Sequence, residues 1–318
     1  MELKKLGNTD LKTPPIMFGG NVFGWTLDKK ESFKMLDMLL ERGLTFIDTA
    51  DMYGNEIGLS EKIIGKWMKE RGTRDKITLA TKAGRVHTID EKGQKEKSIN
   101  NSKSYLLEAL SKSLERLQTD HVDLFYTHFD DEITPLNQVL EAHQQLIEEN
   151  KVHYIGASNY SKPRLKEALS IARESDFPKY EVLQTEYNLM ERKEFETELK
   201  QVCDDYEVSV ASYFSLASGC LTGKYRKKED FKGTARQGLT EKYFSDQGLN
   251  VLKALDEISE EHKVSNAGVA LAWNIQRPGI TAAIASATKE HHLDAFEEAL
   301  TIKLSKEEME KLNSASDF

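Results

Sequence analysis

The sequence is poor in cysteine and proline, has no long apolar run, and carries fewer positive than negative charges. Two cysteines in 318 residues, Cys203 and Cys220, cannot build a disulfide framework, so they read as packing residues of a protein in the reducing cytoplasm. No apolar run approaches the roughly 18 residues a membrane helix needs, so no membrane partner is expected. The first fifteen residues, MELKKLGNTDLKTPP, lack the continuous apolar core of a secretory signal. Lys and Arg number 44 against 53 Asp and Glu, a net charge of −9 that repels nucleic acid and anionic lipid unless the basic residues cluster. The longest basic cluster is Lys224, Arg226, Lys227 and Lys228, so any polyanion bound here is small and held by a few cations and backbone amides. Also missing are a Pro/Ser-rich linker and a G-x-G-x-x-G run after a strand; Gly19, Gly20 and Gly24 have the wrong spacing and open no helix. Those two absences count against a doubly wound sheet in two domains, the second choice of architecture.

What is present is a rhythm. After a short two-strand lead-in around Leu3 to Leu6 and Leu11 to Thr13, the apolar stretch Pro15 to Phe18 runs into glycine. Asp28 with Glu31 reads as a capping box, and Phe33, Leu36, Leu39 and Leu40 repeat at helical spacing until Gly43. Strand and helix then alternate: strands at Thr45 to Asp48, Ile77 to Thr81, Val122 to Thr127, Val152 to Ala157, Tyr180 to Leu183, Val208 to Tyr213 and Ala282 to Ser286. The intervening helices include Leu59 to Arg71, one from Ser102 through Leu117, one begun by Thr134 with Pro135 in its first turn, one opened by Ser161 and Pro163, and one over Glu191 to Tyr206. Ser305 with Glu308 caps a last helix, with Leu304 and Met309 as its hydrophobic staple. Eight strands alternating with amphipathic helices fit a single (β/α)8 TIM barrel over residues 1–318, with an N-terminal hairpin and a long irregular loop, Phe214 to Phe244, after the seventh strand.

In such a barrel, chemistry comes from the C-terminal ends of the strands. The stretch FIDTADMYG, residues 46–54, is an apolar run that stops at Asp48 and turns over toward Tyr53. Taken alone, Asp48 also suits a helix cap and Tyr53 a ring packed on that helix. Lys82 follows the third strand and His128 the fourth, while Ser158, Asn159 and Gln184 sit at the ends of later strands. A phenol, an ammonium, a carboxylate and an imidazole at one end of a barrel say more together than any of them says alone.

FIDTADMYG, ATKAG and LFYTHFD resemble the catalytic segments of the aldo-keto reductase superfamily, and IGASNYS, LQTEYNL and LTGKY resemble its cofactor segments. The resemblance spans the chain and points to the branch of stress-inducible and inositol-cluster oxidoreductases and potassium-channel β-subunits. It implies reduction of aldehydes or ketones without a metal, using NADP(H) by family habit, with NAD(H) possible. The likeness assigns Asp48, Tyr53, Lys82 and His128 to catalysis, and the four suit the chemistry it implies: the alkoxide left by hydride addition needs a neutral acid, Tyr53, and Lys82 is expected to lower the phenol's pKa, with Asp48 orienting Lys82 and His128 as a second donor. It sets Ser158, Asn159 and Gln184 against the nicotinamide carboxamide and Tyr213 under its ring, with Gly20, Asn21 and Asp48 beside them. Ser215, Leu216, Gly219 and Lys224 would lie over the pyrophosphate, with Arg236 nearby; Ser286, Thr288 and His292 would face the adenine end. There the sequence departs from the family: Ile284 to Thr288 replaces a segment commonly rich in basic side chains, although Lys289 is close, so NADPH versus NADH stays open. Trp25, Phe23 and Phe129 are expected to shape the pocket for a small carbonyl substrate. Monomer and homo-oligomer both remain open, and the channel-subunit likeness adds a second functional class, a cofactor-binding redox sensor with little turnover. A third class, a phosphate-binding metabolic barrel, would need a glycine-rich loop after strand seven or eight, which LTGKY resembles less.

Overall fold

The computed structural model describes residues 1–89, 95–234 and 237–318. A hairpin of β1 (Lys4–Lys5) and β2 (Lys12–Thr13) precedes β3 (Ile16–Gly19), α1 (Lys29–Glu41), β4 (Phe46–Asp48), α2 (Leu59–Arg71) and β5 (Thr78–Ala83). A second hairpin, β6 (Arg85–Ile89) with β7 (Lys95–Ile99), leads to α3 (Lys103–Leu117), β8 (Val122–Thr127), α4 (Leu136–Glu148), β9 (Val152–Ser158) and α5 (Lys162–Glu174). Then follow β10 (Tyr180–Glu186), α6 (Lys200–Asp205), β11 (Ser209–Tyr213), α7 (Gln237–Thr240), α8 (Asp246–His262), α9 (Asn266–Gln276), β12 (Ala282–Ala285), α10 (Asp294–Thr301) and α11 (Lys306–Ala315). Eight of these strands close a parallel barrel in the order β3, β4, β5, β8, β9, β10, β11, β12.

Strand parity explains where the site sits. Inside the barrel, Met17, Phe46, Ala80, Leu124, Tyr126, Val182, Ala211 and Ala282 form one buried apolar cluster, and Leu6 from the N-terminal hairpin packs into it. Residues two further along the strands keep the inward direction but turn polar, giving Asp48, Lys82 and Gln184 above the apolar layer. Outward residues meet the helices: Ile47, Leu79, Phe125, Ile155 and Leu183 belong to the larger core that also holds Leu36, Ile64, Leu110 and Leu140. Asp28 and Glu31 form the capping box that starts α1, and Ser305 and Glu308 the one that starts α11, each worth about 1 kcal/mol of helix stability.

Several local readings shift. Pro135 is the residue before α4 rather than its first residue, its backbone at ψ 130° being extended. The helix expected over Glu191 to Tyr206 begins later and contains a wide π turn, Phe195–Leu199, in which both named side chains reach the core. The β6–β7 hairpin is absent from the sequence reading because its register pairs residues such as Arg85 and Ile99 that carry no apolar alternation of their own. The long loop after β11 is built of short helical turns pinned by aromatic contacts, with ring centroids 4.8 Å apart for Tyr225 and Phe231 and 5.5 Å for Phe231 and Phe244. Cys203 and Cys220 are both buried, and burial pushes their thiols up to about 12 and about 11. Among the described residues no helix is long and apolar enough to cross a membrane.

On the inner face of α4, His143 is fully buried with Nε2 2.8 Å from Thr127 Oγ1, and burial alone pushes its pKa down to about 3. Because the unfolded chain protonates this imidazole near 6.5 and the folded chain does not, its contribution to stability is present above 6.5 and is lost as pH falls toward 3. Urea melts at pH 7, 5.5 and 4.5 should therefore lose about 1.4 kcal/mol from this group for each pH unit below 6.5, and the His143→Gln protein should show a shallower acid limb by about that slope. An identical slope in the two proteins would contradict this.

Candidate active site

The side chains at the C-terminal mouth of the barrel are held by backbone contacts between neighbouring strands and by buried polar pairs. Asp48 ends β4 and Lys82 lies near the end of β5; both are buried, with Lys82 Nζ 2.6 Å from Asp48 Oδ2 and 2.8 Å from the Thr49 carbonyl. Gln184 on β10 donates from Nε2 to the other Asp48 oxygen at 3.0 Å. Beyond β4 the chain turns with Asp51 N on the Lys82 carbonyl and Tyr53 N on the Ala50 carbonyl, and Ser60 N donates back to the Tyr53 carbonyl. Tyr53 is thereby set with Oη 3.5 Å from Lys82 Nζ and the ammonium 5.0 Å from its ring centre. His128, buried just past β8, faces the Tyr53 ring edge-on with centroids 6.0 Å apart. The four residues singled out as catalytic candidates thus lie in one place.

Electrostatics follow from burial. For Lys82, burial works against the ammonium, but Asp48 and Tyr53 outweigh it and hold its pKa above the usual value. Burial lifts the Asp48 carboxyl against the opposing pull of Lys82 and Gln184. At 2.6 Å the pair's shared proton stays on the amine, whose affinity for it is raised from an already much higher starting value. Tyr53 differs from expectation: burial raises its pKa, Lys82 opposes, and the net direction is upward. The lysine does pull the phenol down, but less than the loss of water pushes it up. His128 is held well below the usual imidazole range by burial, with Lys82 and Arg85 adding to it, so its ring is neutral at pH 7.

Other sites expected from the sequence divide. Asn159 donates from Nδ2 to the His128 carbonyl at 2.9 Å and accepts from Tyr213 Oη at 2.8 Å, which ties the imidazole, the amide and the tyrosine ring into one wall with Ser158 beside them. Ser286 Oγ lies 2.7 Å from both the Gly19 carbonyl and Asn21 Oδ1, next to Gly20. A Cβ on Gly19 would come within 2.7 Å of that hydroxyl, so glycine is what leaves the approach open. Ala217, Ser218 and Gly219 have successive positive φ values of 48°, 54° and 100°, and Ser218 Oγ is buried without a partner. Lys224 Nζ approaches this turn, 3.2 Å from where a Gly219 Cβ would be. Leu216 precedes the turn and packs against the core. By contrast, the Ser215 hydroxyl is buried and bonded to the Ser212 and Ile284 carbonyls at 2.9 and 3.1 Å, so it holds the loop rather than facing the cleft. Thr288 N donates to His292 Nδ1 at 3.3 Å, closing the turn after β12. Arg236 lies outside the described residues.

The pocket aromatics also divide. Phe129 stacks on His128 at 4.6 Å, and the Arg85 guanidinium lies over the Phe129 ring, 4.3 Å from its centre. Trp25 is half-buried and lines an outer groove with Leu27, Asn55, Leu59 and Lys62. Phe23 is a correction: it is fully buried against Phe18, centroids 5.4 Å apart, and belongs to the core. Two groups were missed. Arg85 stands just past the glycine of ATKAG; its place beside His128 depends on the unforeseen hairpin. Asp51, inside FIDTADMYG, is buried with Oδ1 unpartnered, and burial and Glu61 push its carboxyl up to about 8, so it is neutral at pH 7.

The model of the aldo/keto reductase family matches residues 15–317. The chain belongs to that family. The aldo/keto reductase is 33% identical over 318 residues to the Bacillus subtilis protein named uncharacterized oxidoreductase YrpG, covering 98% of this chain and 95% of that one. It is 32% identical to a rice protein named probable voltage-gated potassium channel subunit beta, covering 95% and 92%, and 30% identical to the Bacillus subtilis aldo-keto reductase YhdN, covering 99% and 93%. The chain is accordingly an NAD(P)-dependent oxidoreductase of carbonyl-reducing type.

Proposed function

We propose that this aldo/keto reductase converts aldehydes or ketones to alcohols, reversibly, with Tyr53 as the proton donor. When bound, the nicotinamide supplies a hydride to the carbonyl carbon. The chain's own task is then to hold the carbonyl oxygen between two donors and protonate it. Tyr53 and the neutral His128 ring stand edge to face, centroids 6.0 Å apart, and both can donate to one oxygen. Lys82, charged and pinned by Asp48, stabilises the phenolate left when Tyr53 gives up its proton, which offsets the burial that otherwise keeps that proton in place. The observation that carries this reading is the continuous chain of contacts Gln184, Asp48, Lys82, Tyr53 at the mouth of the barrel.

The residues present fit a dinucleotide. Ser158, Asn159 and Tyr213 offer polar edges and a ring face to a flat amide-bearing ring, with the spare oxygen of Gln184 behind. Asn21 and Ser286 stand beside the open approach at Gly19 and Gly20. The left-handed turn at residues 217–219, with the unpartnered Ser218 hydroxyl and Lys224, suits a pyrophosphate. Thr288 and His292 would border the adenine end. Lys224→Ala should weaken NADPH and NADH alike by roughly tenfold, because a pyrophosphate is common to both and a charge-assisted contact is worth about 1.5–3 kcal/mol. A loss confined to NADPH would place Lys224 at a 2′-phosphate instead.

Fluorescence titration with NADPH and NADH in parallel, followed by a panel of aldehydes and ketones with the tighter cofactor, tests the whole reading. Turnover far above the background oxidation of bound cofactor is the expected result. Tight cofactor binding with no turnover would favour a redox-sensing subunit, the reading that the rice relative's name supports.

A further inference from the structure

At the opposite end of the barrel from Tyr53, three side chains that suit a transition metal share one face. His121 and Asp123 are two residues apart at the start of β8, so they point the same way. The β8–β9 register sets Val122 against Val152 and Leu124 against Tyr154, which brings His153 alongside Asp123. One nitrogen of each imidazole and one Asp123 oxygen lie within 4.8 Å of one another. The two rings stack at 4.7 Å, and His153 Nδ1 is 3.5 Å from Asp123 Oδ1.

From this geometry we propose a site for a divalent transition metal of the zinc class, bridging two adjacent barrel strands. Two imidazoles and one carboxylate favour Zn2+, Co2+, Ni2+ or Cu2+ over Mg2+ or Ca2+. Tetrahedral ligands around zinc stand about 3.4 Å apart, so the three groups must close in by roughly 1 Å. The two imidazoles have that freedom, being 26% exposed for His121 and 45% for His153. Asp123 is already aimed: its Oδ2 accepts from Leu79 N at 2.7 Å and from Arg74 Nη2 at 3.0 Å, leaving Oδ1 on the side of His153. Asp120, with Oδ1 2.6 Å from His121 Nδ1, adds negative charge that favours a cation, while the Arg74 guanidinium opposes one. That opposition makes the site weaker than the same three ligands would be without a neighbouring guanidinium. The site lies roughly 20 Å of strand away from His128, so it would brace the barrel's base and take no part in carbonyl reduction.

Chelator-treated full-length protein should bind one equivalent of Zn2+ in equilibrium dialysis and, loaded with Co2+, should show visible absorption bands of a four- or five-coordinate ion. At a hundredfold excess of zinc over its dissociation constant the thermal midpoint should rise by about 4 °C. His121→Gln and His153→Gln should each weaken binding at least roughly tenfold, since even an outer-shell change costs that much, and the double variant should lose the equivalent and the midpoint shift. Urea melts without metal should leave the variants as stable as the parent, which separates lost ligands from lost folding. No zinc equivalent in the parent, or an equivalent that survives in the double variant, overturns the proposal. Neither cofactor nor carbonyl enters the assay, so its failure would leave the reductase reading untouched.

Discussion

Tyr53→Phe should lower carbonyl reduction by on the order of 10²- to 10⁴-fold while leaving the dissociation constant for NADPH unchanged within about twofold. The substitution removes one oxygen and keeps the ring that Lys82 and His128 face. It should also be nearly neutral for stability. The Tyr53 hydroxyl is 3.5 Å from Lys82 Nζ, at the edge of hydrogen-bond range, so its loss costs less than about 1 kcal/mol. Single-turnover rates separate the outcomes. A slow hydride step with normal cofactor binding fits a missing proton donor; weakened cofactor binding or a collapsed thermal midpoint would make Tyr53 a packing residue. The pH profile adds a second check. Burial raises the phenol's pKa, so the acid form persists through neutral pH and activity in the reducing direction should fall only under strongly alkaline conditions.

Much of this site is legible because a barrel strand alternates and its inward positions change character at the top. Phe46 to Asp48, Ala80 to Lys82 and Val182 to Gln184 each step from an apolar inner layer to a polar one two residues later, and two-residue steps are visible in sequence. That same logic fails where position depends on pairing between segments that carry no pattern. Arg85 reaches Phe129 from the first position of a hairpin of irregular polarity, and nothing in its spacing announces that hairpin. Phe23 has the composition of a pocket residue, but a short turn after β3 directs it into the core. Signs of pKa shifts are harder still. The proximity of Lys82 to Tyr53 is readable, whereas the cost of removing water from both is a property of the assembled fold. Asp51 shows the limit: it lies within the most recognisable stretch of the chain, yet its neutral state follows from burial in the assembled fold, with Glu61 of α2 adding to it. The trio at the barrel's base needs the β8–β9 register, since His153 is about thirty residues from its neighbours in sequence.

Lys82→Met should abolish reduction and also destabilise the protein by about 3–5 kcal/mol, the cost of leaving one member of a buried ion pair without its partner. Asp48 is 2% exposed and would keep only the Gln184 amide at 3.0 Å. Its carboxyl, already lifted by burial, would then take up a proton, so the destabilisation should shrink as pH falls and grow as pH rises; this is the sign expected when a group's folded pKa lies above its unfolded one. Replacing both partners separates stability from chemistry. Asp48→Asn with Lys82→Met removes the stranded charge and keeps similar volume, so urea melts should recover most of the lost stability. Reduction should stay as low as in the single variant, because no ammonium remains to stabilise the phenolate of Tyr53. Recovery of activity together with stability would show that Lys82 acts only by holding the fold, and a double variant no more stable than the single one would show that the two residues are not paired in solution as they are here.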